Sequence, residues 1–273
     1  MPVLQGESNA QYNGVMRPAL LAIGGVAVAA SLSALPAAQA PRSRVEATVP
    51  FGVGESLTYD VTYSSYIVAG TAVTRVQDKR STPGATSYYI VAEGRPVPML
   101  ASLYRFYYKM DTLLDSVTLL PHRGSVYAEE GTRKRTALTR YDRNTLTAEF
   151  EVQSDAGGRM EFDIPAQVQD GLSGLYVLRS MNLRTGERFT LPIADEGVVY
   201  DLRADVTGSE RVRVPLGDFD ATVLKVSITD PDGKPAATNT GVWFSNDSRR
   251  LPLKIQADLP MGSFVLLLRQ ASP

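Results

Sequence analysis

The chain has 273 residues, 28 Lys and Arg against 29 Asp and Glu, a formal charge of −1, one histidine and no cysteine. That balance leaves no global field for nucleic acid or an anionic membrane. The missing thiols exclude disulfides, thiolate metal sites, cysteine nucleophiles and a lipid-modified cysteine, and one histidine excludes histidine-rich zinc sites.

The first element in chain order is an export segment. Arg17 precedes an uncharged apolar run of seventeen residues from Ala19 to Leu35, ended by Pro36 and followed by Ala38-Gln39-Ala40. A charged start, an apolar stretch and an A-x-A site, in that order, define a secretory signal peptide over residues 1–40. Residues 1–15 are polar, contain Glu7 and carry no basic residue, which points to Met16 as the start of translation. The competing reading is an uncleaved inner-membrane anchor: the run reaches the short edge of a spanning helix, and Pro41 lies just after the proposed cut. Cleavage would release the mature chain to the periplasm or the outside. Removing residues 1–40 leaves 233. We expect residues 41–47 to form a flexible N-terminus and 48–271 a single β-rich domain, large enough to fold without staples.

Period two dominates that domain. Leu57, Tyr59, Val61 and Tyr63 alternate with Ser56, Thr58, Asp60 and Thr62. The pattern returns at Leu146–Val152, Val198–Val206, Leu224–Ile228 and Leu251–Leu259. Successive β side chains point to opposite faces, so each set lays its apolar members on one face of an antiparallel sheet and its polar members in water. A tyrosine-rich strand, Tyr104-Arg-Phe-Tyr-Tyr108, follows a short helix expected at 97–103. The last strand, Phe264-Val-Leu-Leu-Leu268, is apolar on both faces, as a central strand or one under a helix would be. Turn signals at Asp142-Arg-Asn144, Ala156-Gly-Gly158, Leu216-Gly-Asp218, Asp232-Gly233 and Asn246-Asp-Ser248 separate the strands and predict a meander of hairpins.

One segment departs from period two. Residues 170–183 read as a helix, with Asp170 as N-cap, Arg184 complementing the C-terminal dipole and Gly186 as the left-handed stop. Leu172, Leu175, Tyr176, Leu178, Met181 and Leu183 spread around much of its circumference, so it should be largely buried against the sheet. The fold class is therefore mainly β (β-rich α+β), a large curved antiparallel sheet or half-barrel with one buried helix near 170–183.

Catalytic motifs are scarce. His122 sits alone in Leu-Leu-Pro-His-Arg-Gly and reads as a turn or strand-edge histidine. Gly171-Leu-Ser173-Gly-Leu175 lacks the final glycine and the preceding strand of a nucleophile elbow, so Ser173 reads as a helix-cap residue. Asp230-Pro-Asp232-Gly233 lacks the further oxygen ligands of a calcium loop and reads as a tight hairpin. Glu129 and Glu130 are adjacent and, if extended, face opposite ways. The basic group Arg133-Lys-Arg135, Arg140 and Arg143 is balanced by Glu129 and Glu130 and reads as a solvated face, with an anionic envelope component as the alternative. A dense apolar and aromatic set around 97–108 reads as core, or as the lining for an apolar ligand.

Several segments together resemble one family. They are Phe51-Gly-Val-Gly-Glu-Ser-Leu-Thr-Tyr-Asp-Val with Ala69-Gly70; Asp115-Ser-Val-Thr-Leu-Leu-Pro121; Asp170-x-Leu-Ser173-x-x-Tyr176-x-x-Arg179; and Trp243-Phe-Ser-Asn-Asp247-x-x-Arg250-Leu-Pro252. In this order they resemble the DUF3108 family of exported bacterial proteins over nearly the whole mature chain. The resemblance implies a β-rich envelope protein of unknown function and supplies no catalytic residues.

The expectation is a non-enzymatic periplasmic or envelope protein that binds an apolar or amphipathic envelope ligand, such as a lipid, between sheet and helix. Met99, Leu100, Leu103, Tyr104, Phe106, Leu172, Leu175 and Tyr176 are the candidate lining. No cofactor, metal or nucleic acid is expected. The alternative is a structural or scaffolding protein acting through an envelope protein partner, and a hydrolase ranks third.

Overall fold

The chain's alternating segments form fourteen strands: β1 (Ser56–Tyr63), β2 (Ile67–Thr82), β3 (Ala85–Pro96), β4 (Phe106–Asp115), β5 (Pro121–Glu130), β6 (Arg133–Asp142), β7 (Thr147–Gln153), β8 (Arg159–Asp163), β9 (Arg188–Asp195), β10 (Val198–Val214), β11 (Gly217–Thr229), β12 (Pro235–Ser245), β13 (Pro252–Leu259) and β14 (Gly262–Ser272). Two helices join them, α1 (Pro98–Ala101) and α2 (Gly171–Ser180). This computed structural model describes residues 44–64, 67–82, 84–102, 105–153, 157–259 and 262–273. The export segment, Leu103, Tyr104 and the first residue of the 156–158 turn lie outside them. No helix among the described residues is long and apolar enough to cross a membrane.

All fourteen strands form one sheet in the order β8-β7-β6-β5-β4-β3-β2-β1-β14-β13-β12-β11-β10-β9. Sequence neighbours pair antiparallel throughout, β1 joins β14, and the sheet stays open between β8 and β9, where α2 is inserted. This is the expected meander of hairpins, bent into a half-barrel. The apolar final strand, β14, lies centrally between β1 and β13. Both outer edges are protected. Gln169 pairs in parallel with Ile193 and covers β9, while β8 carries Arg159, Glu161 and Asp163, charges that discourage further strand addition.

Helix α2 fills the concave side. Leu172, Tyr176, Val177 and Leu178 pack with Val76, Ile90 and Leu114 from β2–β4 and with Val206, Leu224, Val242 and Phe244 from β10–β12. Each such burial contributes about 1.5–3 kcal/mol. Asp170 is the N-cap and accepts from the Leu172 and Ser173 amides, while the Ser173 hydroxyl oxygen accepts from the Asp170 N–H, a complete capping box.

The helix ends at Ser180, earlier than the 183 expected from its apolar residues, because Met181 is already extended (φ −76°, ψ 157°). The basic residue in its last turn is accordingly Arg179, not Arg184. Gly186 has the left-handed conformation (φ 89°) but serves the turn into β9, its N–H donating to Val206 O. Helix α1 is a single turn with Pro98 in its first turn.

Candidate functional site

The meander sorts its connections by end. The β1–β2, β3–β4, β5–β6, β7–β8, β9–β10, β11–β12 and β13–β14 turns lie at one end of the sheet, and α2 is entered and left at the other. Between the inner wall of β4–β7, the first turn of α2 and the end of β9 lies a cavity of about 220 Å³.

The register explains why space remains there. Tyr108, Ala128 and Arg135 form one rung of the inner wall; Met110, Val126 and Ala137 form the next; Gly124, Thr139 and Phe150 form a third. The middle column is therefore glycine, valine and alanine, which leaves the wall low where flanking strands carry larger side chains. Gly124 gives room for a close approach: a Cβ there would lie 3.2 Å from Asp170 Oδ2. The hairpin-end rim carries Glu130, Arg135, Asp195 and Glu196. Arg135 donates to Glu196 across the opening and so ties β6 to the β9–β10 turn. Glu196 and Gly197 both have positive φ (49° and 82°), the two-residue turn that matches strand twist. Met160 of β8 packs over Gly197.

One buried hydroxyl among the lining residues is left without a partner. Tyr141 is buried, lines the cavity, and its hydroxyl has no hydrogen-bond partner. Burial raises this phenol's pKa well above the usual value, and the nearby Asp170 carboxylate raises it further. Tyr108 is pushed up to about 12 by desolvation, then by Asp195 and Glu196. Asp170 accepts from Leu172 N at 2.9 Å, Ser173 N at 2.8 Å and Thr112 Oγ1 at 2.6 Å. Burial nevertheless outweighs those bonds and raises its pKa. Asp195, at the exposed rim, is also raised, by partial desolvation and then by Glu196. Five carboxylates, Asp111, Glu130, Asp170, Asp195 and Glu196, thus line the cavity with one arginine, Arg135.

The candidate lining residues divide into two groups. Leu172 lines this cavity. Tyr176 belongs to the packed core, with Leu175 against it. Met99 is 70% exposed and Phe106 39% exposed at the hairpin end, and Leu100 is half-buried in α1 beside Met99. Leu103 and Tyr104 lie outside the described residues. The sequence reading missed Tyr141, Asp195 and the Gly124–Ala128 column. Its only signal for them was the small residues alternating along β5.

Most other motifs are structural. His122 Nε2 lies 3.3 Å from Asp115 Oδ2. The basic group is consumed: Lys134 pairs with Glu129, Arg140 with Glu149 and Glu151, and Arg143 donates to the carbonyls of Pro121, Ala166 and Val168. Asp230–Lys234 is a tight hairpin. Trp243 finds its partner in Glu210 Oε1 at 2.6 Å. Three of the separated segments quoted above converge at the far end of α2. There Arg179 binds Glu55 through two 2.7 Å bonds and donates to the carbonyls of Arg249, Arg250 and Pro50, and Phe51 stacks edge-on against Tyr176 at 4.8 Å.

Comparison with known proteins gives a family and distant structural likenesses. No curated protein matches. A β-barrel-like protein of the domain of unknown function DUF1849 from Brucella abortus is 12% identical, covering 81% of this chain and 97% of its own, with a TM-score of 0.49. A protein from Bacteroides fragilis assigned as exported, with a YmcC-like fold, is 11% identical, covering 84% of this chain and 100% of its own, with a TM-score of 0.35. A protein from Parabacteroides distasonis assigned as a lipoprotein is 10% identical over 84% of this chain and 100% of its own, with a TM-score of 0.35. The family model for DUF3108, proteins of unknown function, matches residues 58–269. The chain belongs to that family.

Proposed function

We propose that this DUF3108 protein is an exported, non-enzymatic binding protein that holds the small end of an amphipathic envelope ligand in the half-barrel cavity. The observation that carries the reading is the cavity itself, walled by Met110, Val126, Phe150 and Leu172 and by polar side chains between and above them. Small-molecule sites are concave and combine apolar walls with placed polar groups, and this cavity has both. Size narrows the ligand. At about 220 Å³ the cavity is smaller than the roughly 300–1,000 Å³ of drug-sized pockets, so it takes a short segment or headgroup and leaves longer chains outside. Export rests on the segment at residues 16–40. The non-enzymatic part is supported by the two residues nearest to nucleophilic chemistry. Ser173 is fully buried in its helix cap, and His122 is held by Asp115 in the strand end beyond the cavity.

Native mass spectrometry of protein taken from the envelope, with solvent extraction, tests this. A retained small molecule is expected, and it should be lost in Ala128→Phe, which fills the middle column, without a matching loss of melting temperature. Protein that carries nothing and takes up nothing from envelope extract overturns the reading. The scaffolding alternative has its own observation: Tyr63, Ile67, Val68, Met99 and Phe106 are exposed at the hairpin end. In-cell crosslinking from these positions to a single protein, with no bound small molecule, would favour it.

A further inference from the structure

The chain has no global field, yet the hairpin end of the sheet divides its charge and its apolar surface unevenly. Five of the ten large apolar side chains exposed among the described residues stand at the neighbouring β1–β2 and β3–β4 hairpins: Tyr63 (43%), Ile67 (66%), Val68 (44%), Met99 (70%) and Phe106 (39%). Single exposed apolar residues are ordinary, but a cluster marks an interaction surface. Backbone bonds join these hairpins and the next into one arc of the rim. Val97 N donates to Ala69 O at 2.9 Å, and Gly131 N, in the β5–β6 hairpin, donates to Arg105 O at 2.8 Å. The arc carries Arg95, Arg105, Arg133 and Lys134 against Glu129 and Glu130. Lys134 takes up Glu129, and Arg95, its side chain 67% exposed, shares Glu93 with Arg75. Arg105 and Arg133 are exposed, and among the described residues no side chain pairs with either. Arg95 and Arg105 border one open groove with Pro98 and Phe106. Beyond β1 the rim turns acidic: the β13–β14, β11–β12 and β9–β10 hairpins carry Asp258, Asp230, Asp232, Asp195 and Glu196 against Lys234.

We propose that the basic and apolar arc docks on an anionic lipid surface, with Ile67, Val68, Met99 and Phe106 entering the headgroup layer and Arg95, Arg105 and Arg133 meeting lipid phosphates. Binding to such a surface grows with the apolar area inserted and with the attraction of cations to anionic lipid. Arginine suits the phosphate because its planar fork donates to two oxygens at once. The apolar side chains stand at hairpin tips with arginines between and beside them. A headgroup layer moulds around such tips, whereas the core of a protein interface is depleted of charge. The docking does not depend on what the cavity holds. It does set where the cavity opens, since the cavity rim lies at the same end of the sheet, so a docked molecule brings the mouth to the lipid.

Vesicle flotation of the chain after Ala40, which contains the whole described fold, is the test. The protein should float with vesicles of equal parts phosphatidylglycerol and phosphatidylcholine and stay behind with phosphatidylcholine alone. Each arginine near an anionic surface strengthens binding about fivefold, so Arg105→Gln/Arg133→Gln should weaken it about 25-fold. Neither side chain has a partner to lose, so the melting temperature should not move. Ile67→Ser/Met99→Ser should weaken binding by about tenfold or more. Arg184→Gln/Arg211→Gln removes the same charge at the other end of the sheet and should leave binding unchanged. The chain has no cysteine, so an environment-sensitive dye on Met99→Cys reports one place. Its emission should shift to the blue on the mixed vesicles, while the same dye on Leu216→Cys, at the opposite end, should not shift. Absence of flotation, equal flotation with phosphatidylcholine alone, or unchanged binding in Arg105→Gln/Arg133→Gln overturns the proposal. Crosslinking in cells from Met99 and Phe106 to one protein, with no vesicle binding, also overturns it and marks the arc as a protein contact. Whether a small molecule is retained decides the cavity reading alone and leaves this one untouched.

Discussion

Replacing Arg179 with Met tests what holds the open half-barrel together. Arg179 and Glu55 are 1% and 4% exposed, and their two 2.7 Å bonds form a bidentate pair. The same guanidinium also donates to Arg249 O at 2.8 Å, Arg250 O at 2.9 Å and Pro50 O at 3.3 Å. Met matches the stem but strands a buried carboxylate and three carbonyls. Breaking a buried pair from one side costs about 3–5 kcal/mol, and for a chain of this size each kcal/mol moves the melting temperature by about 2–4 °C. A drop of roughly 6–20 °C is therefore expected, with a matching fall in the urea midpoint. Removing both partners, in Glu55→Leu/Arg179→Met, should cost clearly less than the sum of the single changes, since no charge is then left alone. Rescue will be partial because the three carbonyls remain unpaired. A single-variant loss below about 1 kcal/mol, or an additive double variant, would refute the view that this pair joins the N-terminal segment, α2 and the β12–β13 turn.

Other changes probe the site's supports. Asp115 is buried; desolvation raises its pKa, but the Thr118 and Val117 amides and His122 outweigh that and hold it below the usual value. A depressed folded value means the stabilisation is complete above the unfolded pKa near 4 and is lost as pH falls through the folded value. Acid unfolding of Asp115→Asn should therefore start from a lower neutral stability and show a shallower loss below about pH 4. Gly197→Ala places a Cβ 2.6 Å from Met160 Sδ at φ 82°, so it should cost more than about 1 kcal/mol and loosen the β8 edge, seen as faster amide exchange in β8. Asp170→Ala removes the cap and leaves the Thr112 hydroxyl without its partner, and about 1–3 kcal/mol of thermal stability should go with it.

How much of this was legible in the sequence follows from what each residue can signal locally. Strands such as β1, β7 and β13 announced themselves because one face is apolar and the other wet. Strands β2 and β6 did not: Arg75, Asp78, Lys79 and Arg80 in the first, and Arg133, Lys134, Arg135 and Arg140 in the second, hide the alternation, with Arg75, Lys134 and Arg140 pairing across strands to Glu93, Glu129 and Glu149. The α2 cap was readable because a capping box is a four-residue event. The early helix end was not, since Met181 and Leu183 are apolar for the same reason whether helical or extended: both pack against the main core.

The site was harder to see, and the reason is geometric. A cavity is made by what is small, and Gly124, Val126 and Ala128 in one strand say nothing until the register sets them beside Ala137 and opposite Asp170. The conspicuous aromatic segment near 97–108 drew attention because large apolar side chains are visible one at a time. Its exposed members lie at the hairpin end, while Leu172 is the one described residue of the sequence-chosen set that borders the cavity. Tyr141 carried no motif at all. Its place is set by burial beside Asp170 and Arg143, whose charges act on it in opposite senses. Arg179 is bonded redundantly, but Tyr59, deep in the core, also has a hydroxyl without a partner. An unbonded hydroxyl therefore does not by itself mark a site; what sets this region apart is the register, which lowers the wall along β5 and leaves a cavity between β4–β7 and the first turn of α2.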